Sequence, residues 1–138
     1  MLAVTAENDN LSKICEKSLH SLCKKVYYGE NVDKNRLVDL IFCTEDTIKS
    51  LNRDYRKKDA ITDVLSFRFD DSDYLGEIYI CVSRADEQRK EYGLTLDEEA
   101  QRLFIHGLFH LLGFDHETED ERIAMERCEK KYVDFEKE

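Results

Sequence analysis

A chain of 138 residues with 41% hydrophobic and 38% charged positions fits one globular domain spanning 1–138, with a core large enough to need no disulfide or metal staple. Its apolar runs are too short to cross a bilayer, and the opening MLAVTAENDN lacks the basic start and apolar stretch of a signal peptide, so the expected compartment is the cytoplasm. A formal net charge of −10 argues against a broad electrostatic footprint for nucleic acid, so any RNA contact has to be local.

Residues 11–28 set Leu11, Ile14, Cys15, Leu19, Leu22, Cys23 and Val26 at spacings of three and four, which predicts an amphipathic helix stopped by Gly29. RLVDLIFCT at 36–44 is short, apolar and β-branched, a strand. Thr44 then caps a helix to about Tyr55, with Glu45 and Asp46 in its first turn and Ile48, Leu51 and Tyr55 facing inward. After the charged RKKDAIT, the run DVLSFRF alternates Val64, Ser66 and Arg68 against Leu65, Phe67 and Phe69, as a strand with two different faces does. DDSD at 70–73 predicts a turn, and LGEIYICV at 75–82 the partner strand of an antiparallel pair. Ser83 and Asp86 open a short helix that Gly93 ends.

Thr95 and Glu98 form a capping box for a helix that runs to about Leu112, with Gly113 placed to end it. A second box, Thr118 to Glu121, opens a last helix carrying Ile123, Ala124, Cys128 and Tyr132. The sum is an α+β fold, a small mixed β-sheet packed with helices. Cys15, Cys23, Cys43, Cys81 and Cys128 are odd in number with no CxxC pair, and read as buried free thiols of a reducing compartment.

HGLFHLLGFDH, residues 106–116, holds three of the four histidines. His106 and His110 stand four apart, about 40° around a helix axis, so both imidazoles project over one face. Gly113 accepts positive φ without strain, and the chain can fold back there to offer His116 from a third direction. Three neutral imidazoles suit one Zn²⁺ at about 2.0–2.1 Å and leave a fourth position for water, the arrangement of hydrolytic sites. A lone histidine reads better as an ordinary core or surface residue; three at this spacing, with glycine where the helix must stop, point to metal. Metzincin peptidases share the spacing H-x-x-x-H-x-x-G-x-x-H, but their general-base glutamate follows the first histidine, and Gly107 holds that position here. Met125 follows the site by nine residues within a predicted helix, where a Met-turn is out of place.

HGLFHLLGFDH closely resembles the HGxLHLxGYDH signature of the YbeY family of metal-dependent bacterial endoribonucleases, the rRNA maturation factors. LNRDYRKKDAITDVLSF, 51–67, is similar to that family's LNxxYRxKDxPTDVLSF segment, and LGEIYIC, 75–81, to the strand preceding its site helix. The resemblance runs in order over about residues 36–117. It implies that His106, His110 and His116 are zinc ligands, and that Arg56 and His106 are catalytic. It also implies single-stranded RNA as substrate, rRNA at the 16S 3′ end in particular, with a part in ribosome quality control. The small ribosomal subunit and its assembly proteins are the implied partners.

A guanidinium presents a planar fork of donors to phosphate, which supports the role for Arg56. Arg53, Arg56, Lys57 and Lys58 form the chain's most concentrated positive patch, although the same cations complement the C-terminal dipole of helix 44–55. Ala60-Ile61 and Arg68 stand where proline is usual, which should loosen the loop and strand ends, and Phe114 lacks the hydroxyl of the usual tyrosine. Asp115 is either an orienter of the third histidine or a cap for its turn. Thr62 and Asp63 are expected to fix their loop by hydrogen bonds, and Tyr55 to pack on its helix rather than stack a base. ETEDE at 117–121 reads as a solvated helix start, and His20 has no assigned role. Two other classes remain: a metzincin-like peptidase with a recruited base, and a noncatalytic ribosome-assembly factor with structural zinc.

Overall fold

In the computed structural model, which describes residues 1–7 and 14–135, a mixed four-stranded sheet runs in the order β1-β2-β4-β3. β1 (Leu2–Ala6) pairs in parallel with β2 (Leu37–Cys43), β2 in parallel with β4 (Tyr74–Cys81), and β3 (Val64–Asp71) antiparallel with β4. The expected hairpin is therefore present, with a shorter turn than DDSD implied because β3 continues to Asp71. Arg68, where proline is usual, lies inside the strand in register with Gly76, and its N–H remains available to a strand ladder. No strand was predicted for Leu2–Ala6, whose five residues alternate weakly. Leu2 pairs with Val38, a distant parallel partner that no local pattern reveals.

The helices are α1 (Glu16–Gly29), α2 (Glu45–Arg56), α3 (Val82–Gln88), α4 (Leu96–Leu111) and α5 (Glu119–Lys130). α1 begins later than its periodicity predicts, at Glu16, and Leu11 lies outside the described residues. α2 has the expected cap, the Thr44 hydroxyl accepting from the Thr47 N–H at 3.3 Å. α3 starts two residues early, with Cys81 rather than Ser83 at its N-cap position, and the Ser83 hydroxyl donates to Glu45 instead. A 3₁₀ turn over Arg89–Tyr92 carries the chain on to Gly93. Both halves of the Thr95/Glu98 box form at the start of α4, whereas α5 has only the Thr118 hydroxyl accepting from Glu121.

α4 is apolar around most of its circumference, and such a helix has to be buried. It places Ala100, Leu103, Phe104, Ile105, Leu108, Phe109 and Leu111 in the main core with α1 and one face of the sheet. The other face meets α2 through a smaller cluster of Cys43, Ile48, Leu65 and Cys81. Three expectations about packing need correction. Tyr55 is 67% exposed, its ring edge-on to Phe67 at 5.4 Å, and does not face inward. Cys15 is exposed and Cys128 half-buried, though all five thiols are free. In α5 the buried residue is Met125, while Ile123 and Ala124 face outward. The inner face of α5 is thus rotated toward Met125, Cys128 and Glu129. No helix among the described residues is long and apolar enough to cross a membrane.

Candidate metal centre

α4 ends in a Schellman motif. Gly113 N–H donates to the His110 carbonyl at 3.0 Å and Phe114 N–H to the Phe109 carbonyl at 3.0 Å, with Gly113 at φ 104°. The apolar contact that accompanies this motif is the Phe109–Phe114 pair, ring centroids 5.3 Å apart at 87°. The turn sends the chain back over the helix end, and the Asp115 carboxylate accepts from the His116 N–H at 2.7 Å. Asp115 therefore caps the turn.

The histidine nitrogens of 106, 110 and 116 converge within 4.8 Å of one another. Nε2 of His106 and Nε2 of His110 are 3.3 Å apart. That separation is close to the edge of a tetrahedron with metal–nitrogen bonds of about 2.0–2.1 Å. His106 Nδ1 lies 2.9 Å from Oε1 of Glu129, so the proton belongs on Nδ1 and the lone pair on Nε2. Lone pairs directed together across 3.3 Å repel unless a cation or proton lies between them. A three-nitrogen donor set of this kind fits zinc better than magnesium or calcium, which prefer oxygen.

The three histidines line a cleft of about 830 Å³ whose wall includes Arg56, Lys58, Ser66 and Arg68. Arg56, the last residue of α2, donates from Nη2 to the Ser66 carbonyl at 2.6 Å, and its guanidinium sits 5.6 Å from the Phe67 ring centroid. Of the four-cation patch, Arg56 and Lys58 line the cleft; Arg53 does not and pairs with Asp54, and Lys57 takes the left-handed C-cap of α2. The loop between them and β3 is held by buried Asn52, whose amide donates to the Ala60 carbonyl at 2.9 Å. Asp63 behaves as expected, accepting from Thr62 and the Val64 N–H, and Gln88 ties it to buried Glu99 on α4. The acidic run 117–121 is mostly exposed, and His20 lies in α1 by a separate groove near the N-terminus.

The sequence pattern described as Endoribonuclease YbeY matches residues 3–136. The chain belongs to the YbeY family. Endoribonuclease YbeY of Finegoldia magna is 44% identical over 128 residues, covering 89% of this chain and 81% of that protein. Its counterpart in Ureaplasma urealyticum serovar 10 is 51% identical over 98 residues, covering 67% of this chain and 63% of the relative. The solution structure of TM1509 from Thermotoga maritima is 32% identical with a TM-score of 0.69, covering 96% of this chain and 86% of that one.

For a YbeY family member, the histidine cluster and Arg56 were legible in the sequence, whereas Glu129 was not. Its carboxylate reaches the site because α5 turns an inner face toward α4, and the side chain is only 16% exposed. A carboxylate on the far nitrogen fixes the tautomer and raises the basicity of a ligating imidazole. Glu129→Ala is expected to weaken zinc binding about 10- to 100-fold, measured by competition with a chromogenic chelator, with Glu129→Gln less affected. Equal affinity in all three proteins would remove Glu129 from the site.

His110 titrates below its ordinary value of 6.5, first because burial penalises the imidazolium and then because His106 and His116 add like charge. The unfolded chain then binds this proton more tightly than the metal-free fold. Stability present above about pH 6.5 is lost as pH falls toward the lowered folded value. The unfolding temperature of metal-free protein should therefore drop on acidification from about pH 7.5 to 5.5, with a flatter profile for His110→Gln. An identical profile in that variant would assign the acid sensitivity to other groups.

Proposed function

We propose that the protein is a zinc-dependent endoribonuclease that cuts single-stranded RNA, acting in the cytoplasm on rRNA, the 16S 3′ end in particular, in the setting of the small ribosomal subunit and its assembly proteins. The observation that carries this reading is the convergence of three imidazole nitrogens in a cleft whose rim bears guanidinium groups, since phosphodiester cleavage needs both an electrophile and cations for phosphate. Membership of a family described as endoribonucleases supports it. His106, His110 and His116 would hold the ion. When bound, zinc supplies Lewis acidity and a water whose pKa is lowered to roughly 7.

The remaining work falls to the chain's own groups. Glu129 holds the proton of His106 on Nδ1 and fixes the ring's direction. Arg56, anchored on the Ser66 carbonyl, keeps further N–H groups for a phosphate and for the negative charge that grows on it during cleavage. The cations of the cleft are local in an acidic chain, so intrinsic RNA affinity is expected to be modest and ribosomal proteins to supply much of the targeting.

A peptidase reading has to find its base elsewhere. Position 107 faces the sheet rather than the cleft: a Cβ there would lie 2.7 Å from Ile78 Cγ2 and 2.9 Å from Ser66 Oγ. The test is cleavage of a labelled single-stranded RNA and of a peptide panel by one zinc-loaded preparation. RNA is expected to be cut and peptides left intact, with Arg56→Ala slowing RNA cleavage about 10²- to 10³-fold and Arg56→Lys recovering part of it. Peptide cleavage without RNA cleavage would replace the reading with a peptidase. Ribosome association without any cutting would leave a noncatalytic assembly factor.

A further inference from the structure

Arg68 has a place in the cleft that the histidine motif does not explain. It leaves β3 on the face shared by Val64 and Ser66, and Ser66 donates from its hydroxyl to the Gly107 carbonyl of α4 at 3.3 Å. The guanidinium of Arg68 lies over Gly113: a Cβ on that glycine would stand 3.4 Å from Nη1 and 3.9 Å from Cζ. The guanidinium thus rests beside the turn between His110 and His116, at ordinary van der Waals distance.

Five arginines elsewhere pair with carboxylates: Arg53 with Asp54, Arg84 with Glu87, Arg89 with Asp86, Arg102 with Glu99, and Arg122 with Glu119 and Glu126. Outside the cleft, Arg36 donates to the Asp71 carbonyl instead. Among the described residues, neither arginine lining the cleft has a carboxylate partner, although acidic residues outnumber Lys and Arg 31 to 21. Arg56 uses Nη2 on a carbonyl, while the Arg68 side chain is exposed and has no hydrogen-bond partner among the described residues. Of the three acids on the same wall, Asp63 and Asp115 are engaged by the Val64, Gln88 and His116 donors, and Glu117 is exposed.

We propose that Arg68 is a second phosphate-binding residue of the cleft, gripping the RNA backbone on the His116 side while Arg56 holds it where α2 meets β3. Arg56 is anchored at Ser66, and Arg68 is two residues further along the strand, roughly 7 Å, so the two forks address separate phosphates of one strand. This assignment rests on the RNA reading above and adds a residue that sets the grip on substrate.

The test is fluorescence anisotropy of a fluorescein-labelled 2′-O-methyl RNA dodecamer with zinc-loaded protein across a salt series. Arg68→Gln should weaken binding roughly fivefold and reduce the slope of log affinity against log salt by about 0.7, the loss of one phosphate contact on a single strand. Arg68→Lys should restore the slope, and Arg84→Gln, outside the cleft, should match the wild type. Wild-type affinity and slope in Arg68→Gln, alongside weakened binding in Arg56→Gln, would overturn the assignment and leave the RNA cleft standing. No binding by the wild-type protein at low salt would overturn both together.

Discussion

His110→Ala is expected to leave a folded protein that has lost its metal and its activity. The variant removes one of three converging nitrogens, and its Nε2 is the one 3.3 Å from that of His106. With two ligands left, zinc affinity should fall by more than about 100-fold, beyond the loss expected from an outer carboxylate, and RNA cleavage should drop to background. The fold should survive, because His110 is half-buried at the end of α4 and the Schellman bonds there are backbone bonds. Zinc content by atomic absorption, circular dichroism and RNA cleavage on one preparation separate the outcomes. A folded variant that keeps stoichiometric zinc would place the ion elsewhere.

Gly107→Ala should destabilise the protein, against the usual sign for glycine to alanine within a helix. Helix propensity favours alanine by about 1 kcal/mol. The added Cβ, however, would stand 2.7 Å from Ile78 Cγ2 and 2.9 Å from Ser66 Oγ, so α4 has to move away from the sheet. Overpacking of this kind costs about 1–3 kcal/mol, so the net cost reaches about 2 kcal/mol and the unfolding temperature falls by up to roughly 10 °C. His106 is the next residue toward the N-terminus, so zinc affinity should fall as well. Thermal unfolding with and without zinc measures both. A variant as stable as the wild type, or more stable, would show that α4 and the sheet are not packed as described.

The site was more legible than its surroundings because its determinants are local. The i, i+4 histidines, the positive-φ glycine and the third histidine lie within eleven consecutive residues. The capping threonines at 44, 95 and 118 were equally readable, since each acts three residues from itself. What escaped depends on contacts between distant segments. β1 is defined by a parallel partner across α1, and Glu129 by the rotation of α5, whose one fully buried residue, Met125, was not in the predicted apolar set. Arg68 looked like a lost proline, but it lies on the wall of the histidine cleft beside Gly113, 45 positions away. A charged residue on an inward helix face four positions after a buried methionine is the one sequence signal that could have marked Glu129.

Zinc-dependent RNA cleavage is measured by following a defined, end-labelled single-stranded RNA with the purified protein, its chelator-stripped form, and the stripped form after zinc is restored. His110→Ala, purified identically, serves as the contamination control. Cleavage that disappears on stripping, returns with zinc and is absent from the variant is the predicted result. Cleavage that persists in the stripped protein or in His110→Ala would contradict a nuclease built on these three histidines.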